Sequence, residues 1–199
     1  MHERYRSAAE VVAHLHRWHP NLAKGKWRIT SPTDYSYQCI AWAASRIDRK
    51  MWPHEDHWWF SNCSLVQSAN EATVDHFVEG LSMLGYRRCQ GRSFEIGYQK
   101  LAIYANKQGV THIARQQLLG RGWLSKLGDW EDIIHSDLEV IAGETEPAAE
   151  QYGQVVQILR RSWWAAIRRG CLLRCFWHTL KHWCLRMLKP GWRKSLRNA

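Results

Sequence analysis

Apolar and polar positions along this chain follow first a helical period, then a strand period, then a helical one again. Ser7-Ala8-Ala9-Glu10 has the form of a capping box, and Val11, Val12 and Leu15 supply an apolar face behind it. This predicts a helix that ends before Pro20. Residues 21–38, punctuated by Gly25, Pro32 and Asp34, read as loop. A second helix is predicted from Cys39 to about Asp48, followed by an irregular stretch over 49–69. Asn70 is the predicted N-cap of a third helix, with Val74, Phe77, Val78, Leu81 and Leu84 on one face and Gly85 as its stop. Beyond Gly85 the pattern becomes that of strands: Lys100 to Ala105, a turn over Asn106-Lys107-Gln108-Gly109, Thr111 to Leu118, a tight turn at Gly120-Arg121-Gly122, and Trp123 to Leu127. Asp132 and His135 are placed on a following helix. Helices first and an antiparallel meander after them define an α+β class.

The last segment is the strongest helical pattern in the chain. From Gly170 to Pro190, Leu172, Leu173, Phe176, Trp177, Leu180, Trp183, Cys184, Met187 and Leu188 form one stripe. Arg174, His178, Lys181, His182, Arg186 and Lys189 lie opposite. A polar run from Gly143 to Glu150 separates this segment from the rest. The expected division is a domain over 1–142, a linker over 143–155 and a basic, Trp-rich helical tail over 156–199. There are no internal repeats.

Charge sharpens that division. The chain has 28 Lys and Arg, eleven of them after Glu150, the last acidic residue, which leaves 17 basic against 18 acidic residues before it. The body is therefore near neutral and the tail carries the excess, as expected of a body with chemistry and a tail with a partner. No run of about twenty uncharged apolar residues is present, so no membrane span is expected. The first residues lack the apolar core of a secretion signal, so the expectation is a cytoplasmic protein with six reduced cysteines. Peripheral attachment to a membrane and export by a dedicated machine are the alternatives.

Two residues stand out chemically. Cys39 opens the run Cys39-Ile40-Ala41-Trp42-Ala43-Ala44, and a cysteine at a helix start is biased toward thiolate. His112 lies in the strand-like Val110-Thr111-His112-Ile113-Ala114 and is placed to serve as a general base for thiolate attack on an acyl carbon. A third group would orient the imidazole. Ser125, on the next predicted strand, is one candidate, with Asp132 and His135 as alternatives. An oxyanion hole would use the Cys39 backbone N–H with Gln38 or Tyr35.

Tyr35-Ser36-Tyr37-Gln38-Cys39-Ile40-Ala41-Trp42-Ala43 resembles the "YNCIAWA" signature of an uncharacterised bacterial family, with Gln38 where the family usually has Asn. The similarity continues in order through Gly85-Tyr86, Tyr98 to Ala105, Thr111 to Gln116, Gly122 to Gly128 and Asp132 to His135. It covers roughly residues 20–140. That family resembles the NlpC/P60 and CHAP branch of papain-like cysteine hydrolases. The resemblance implies a papain-like fold and a Cys39–His112 pair acting on a peptide, isopeptide or lipid acyl group, without naming the substrate. A rival reading keeps the fold without the chemistry, as an interaction module recruited through its tail.

For the tail, docking on the body and binding to an anionic membrane rank together, with nucleic acid behind them. Phe176, Trp177, Leu180 and Trp183 would sit at an interface, and Arg174 and Lys181 at headgroups. His54, His57 and Cys63, and His14, His16 and His19, match neither CxxC nor HExxH spacing, so no metal site and no cofactor is expected.

Overall fold

The computed structural model describes residues 8–143 and 152–168. The predicted tail helix and its candidate contact residues Arg174, Phe176, Trp177, Leu180, Lys181 and Trp183 lie outside the described residues, as does most of the polar run before it.

The centre of the fold is a seven-stranded sheet whose named strand pairs are all antiparallel. Its strands are β1 (Trp27–Ser31), β2 (Arg87–Cys89), β3 (Tyr98–Asn106), β4 (Gly109–Gln116), β5 (Trp123–Lys126), β6 (Asp132–His135) and β7 (Gln154–Ser162), in the spatial order β1-β6-β5-β4-β3-β7-β2. Among the described residues four helices accompany it: α1 (Ala8–Trp18), α2 (Cys39–Ala43), α3 (Val74–Ser82) and α4 (Trp163–Arg168).

Both faces of the sheet are covered, so successive strand residues feed two separate cores. On one face Leu101, Ile103, Ile113 and Leu159 pack with Ile40 and Trp42 of α2 and Phe77 and Leu81 of α3. On the other, Ala102, Tyr104, Ala114, Ile133 and Ile158 pack with Leu15 of α1 and with Leu22, Val140 and Ile141.

Several elements differ from the sequence expectation, each for a local reason. The expected loop over 21–38 contains the edge strand β1, which pairs with β6. Asp132 and His135 lie on β6, a strand and not a helix. The third helix is capped by Thr73, not Asn70, and the Thr73 backbone N–H donates to His76 Nδ1 at 3.1 Å. The second helix stops at Ala43, because Ser45 takes φ 62° and Arg46 N–H reaches back to the Ala41 carbonyl at 2.8 Å. That left-handed reversal is usually signalled by glycine or asparagine.

The largest difference is β7. It falls across the expected linker and tail, yet it lies between β3 and β2 and pairs with both. The folded unit therefore continues through Ser162, and the division at 143–155 does not follow the sheet. Gly153 leads the strand in at φ +71°, where a Cβ would stand 2.1 Å from the Ala105 carbonyl oxygen. That close approach seats the start of β7 against the end of β3.

Candidate functional site

Cys39 is the first residue of α2, and its helix start is built by Gln38. The Gln38 side-chain oxygen accepts from the Ala41 N–H at 3.1 Å, and its amide donates to the Met51 carbonyl at 2.5 Å. Gln38 is thus an N-cap that also ties down the chain after α2 through its amide. Tyr35, the other candidate donor, is exposed. The helix that follows is five residues long, so Cys39 has little dipole behind it. Cys39 is 5% exposed within the α2–α3 core. Burial pushes its thiol up to about 11, against smaller opposing effects from backbone groups of Ile113, Ile40 and Cys39 itself and from the charge of Lys126.

The polar groups near α2 on this face of the sheet include Lys126, Asp132, Tyr37 and Arg115. The Tyr37 hydroxyl donates to Asp132 Oδ2 at 2.9 Å, and Lys126 Nζ lies 3.9 Å from Asp132 Oδ1 and 5.0 Å from the Tyr37 ring. Burial lowers the Lys126 pKa, opposed by Asp132, Asp34, Asp129 and Glu131. Arg115 stacks 4.1 Å over the Trp42 ring and donates to the Trp42 carbonyl at 2.9 Å, which helps to close the end of α2.

His112 belongs to the other face. Ile103 and Ile113 are register partners that pack with Cys39, whereas Tyr104 and His112 are partners one residue along, and Tyr104 packs in the α1 core. The His112 ring stacks on Tyr152, with centroids 4.2 Å apart and planes 15° apart, and His19 lies 5.0 Å beyond. Ser125 Oγ is 3.0 Å from His112 Nε2 and 2.9 Å from His135 Nε2, and His135 Nδ1 is 2.7 Å from the Asp137 carbonyl.

This chain of contacts fixes its own protons. The Asp137 carbonyl only accepts, so His135 Nδ1 carries the hydrogen. His135 Nε2 then accepts from the Ser125 hydroxyl, and Ser125 Oγ accepts from His112 Nε2–H. His112 Nδ1 is left with a bare lone pair, fully buried and without a hydrogen-bond partner among the described residues. Burial holds His112 well below the usual imidazole range, with His135 and His19 adding to the effect. Burial also lowers His135 to about 4 and, reinforced by His14, His19 to about 4.

The sequence-predicted site is thus divided by the sheet. Ser125 and His135 join His112 on one face; Gln38 and Asp132 share the other side with Cys39. The structure does not bring Cys39 and His112 together. Sequence reasoning gave no role to Lys126 and Tyr37 beside α2 or to Tyr152 beside His112, and it weighed His19 only as a metal ligand; Arg115, a cleft candidate on the His112 strand, lies on the Cys39 face. Strand alternation alone separates Lys126 from Ser125, but Tyr152 lies within the segment expected to be linker and carried no signal.

The architecture is an α+β domain with a doubly covered antiparallel sheet and buried polar clusters on both faces. Residues 28–160 match the model of a domain of unknown function (DUF7689), and the chain belongs to that family. No curated protein and no solved structure gives a match.

Proposed function

We propose that this domain is a non-catalytic binding module. The observation that carries the reading is the separation of Cys39 from His112 by the thickness of the sheet. Thiol catalysis needs a thiolate within hydrogen-bond reach of its base. Here burial favours the neutral thiol, and the imidazole is engaged with Ser125 on the far side. The polar clusters then serve to fix strand register in a sheet buried on both faces. The basic, Trp-rich sequence beyond residue 168 supplies recruitment, with an anionic membrane surface as the proposed partner.

A papain-like frame has one supporting observation. α2 opens at Cys39 and packs against the strand that carries His112, which is the pairing of elements such hydrolases use. In this reading the frame is kept and the dyad is not assembled.

The test is brief iodoacetamide labelling of the folded protein near neutral pH, read by mass spectrometry. Cys39 is expected to label more slowly than the half-exposed Cys63 and Cys89, and His112→Ala should not slow it further. If Cys39 labels first and His112→Ala abolishes that lead, the domain is a thiol enzyme.

A further inference from the structure

At the end of the sheet where Tyr98 of β3 pairs with Ser162 of β7, the surface opens into a cleft of about 650 Å³. Its walls include Tyr86, Arg87, Tyr98, Arg160, Arg161 and Ser162, and among the described residues no carboxylate lines it. Arg87 and Arg160 are register partners on one face of the sheet, Arg161 leaves the other face, and the paired Arg87 and Arg160 cations raise the positive potential at this end of the sheet. The volume falls in the range of small-molecule sites, roughly 300–1,000 Å³.

Two of the arginines are held in place by the fold. Arg160 lies 4.8 Å over the Tyr98 ring, and its Nη1 donates to both Glu95 oxygens at 3.0 and 3.1 Å. Arg161 is 1% exposed and lies 4.4 Å over the Tyr86 ring. The Gln99 side-chain oxygen accepts from Arg161 Nε at 3.1 Å and from Nη2 at 2.7 Å, and the Leu84 carbonyl accepts from Nη1 at 3.4 Å. Arg87 is exposed on the edge strand β2. It is the register partner of Arg160, so the two side chains leave the same face of neighbouring strands. Glu95 offsets one charge, and the cleft remains cationic. Arg161 is buried against Gln99 and Leu84 and supports the wall, while Arg160, held over Tyr98, loses little freedom on meeting an oxyanion, and its forked geometry matches phosphate and carboxylate oxygens.

We propose that this cleft binds a small polyanion, a ligand bearing two or more phosphate or carboxylate groups. The inference rests on the binding-module reading and gives it a ligand class.

Calorimetric titration of the full chain with sodium pyrophosphate, and separately with tricarballylate, tests it. Saturable one-to-one binding of at least one probe is expected, and the tighter probe identifies the oxyanion. Arg87→Glu, on an exposed edge position, should weaken binding about tenfold or more, with an unchanged thermal melt. Arg160→Gln should weaken it in the same direction. The triple substitution Lys181→Gln, Arg186→Gln, Lys189→Gln should leave the affinity unchanged, because those charges belong to the tail. Failure of both probes to bind overturns the proposal, as does binding that survives Arg87→Glu but is lost in the tail variant. Cysteine labelling keeps the two readings apart. Rapid His112-dependent labelling of Cys39 alongside pyrophosphate binding would overturn the binding-module reading alone, and slow labelling with no binding would overturn the cleft alone.

Discussion

Ser125 is the residue that links two buried imidazoles, His112 and His135, of one core. Its hydroxyl donates to His135 and accepts from His112, both within 3.0 Å, in a core it shares with Tyr104 and Ile133. Ser125→Ala would leave the His112 Nε2–H and the His135 Nε2 lone pair buried without a partner. Each orphaned group costs about 1–3 kcal/mol, so the substitution should destabilise the domain by about 2 kcal/mol or more. Chemical denaturation followed by tryptophan fluorescence would measure it. A change under roughly 0.5 kcal/mol, what a surface site gives, would show that the network is not structural. Gln38 carries the same lesson for the other face. The residue before Cys39 is an N-cap, a role in which Asn is favoured, and Gln here reaches both Ala41 and Met51 through its longer side chain.

At the scale of elements, β7 decides where the domain ends. It buries Ile158 and Leu159 and supplies the ladder partners of both β3 and β2. Burying a side chain of that size contributes roughly 1.5–3 kcal/mol, and a domain's whole stability is about 5–15 kcal/mol. A chain ending at Glu150 should therefore lose its cooperative thermal transition, and a normal melt from that shortened chain would show that β7 is dispensable. The sequence made the class, the β3–β4–β5 meander and the helical face of α3 legible, because those segments follow one period and end in turn residues. It hid β7 because Arg160 and Arg161 share a strand with the apolar Ile158 and Leu159, which is the signature of a basic tail unless Gln99 and Glu95 are known to meet them. Of the candidate site, the sequence placed His112 and Ser125 on neighbouring strands, where they meet at 3.0 Å. Which face each side chain takes depends on strand parity and on the register shift between Tyr104 and Ala105, and a one-residue slip exchanges the faces.

For the whole molecule, three buried neutral histidines set a pH dependence. His19 and His135 titrate in the folded state at about 4, against an ordinary value of 6.5, and His112 is also lowered well below it. Between those values the unfolded chain binds more protons, so stability falls as pH drops from about 6.5 toward 4. Each of His19 and His135 contributes up to about 3 kcal/mol to that loss. Urea midpoints measured from about pH 7 to about pH 4.5 should decline steadily, and His19→Phe should flatten the decline by retaining the ring against Tyr152 without a site to protonate. A flat wild-type profile would rule out buried neutral imidazoles. The place of β7 between β3 and β2 also has a consequence for the chain as it is made. During synthesis, β2 and β3 emerge long before the strand that joins them, about 73 residues separating the end of β2 from the end of β7. At about 5–20 residues per second, that interval lasts roughly 4–15 s. Once β3 is also made, and for the rest of that interval, the nascent chain presents two strand edges with open hydrogen-bonding groups, so the moment of greatest aggregation risk comes before the fold can close, and a chaperone that shields strand edges would act in that window.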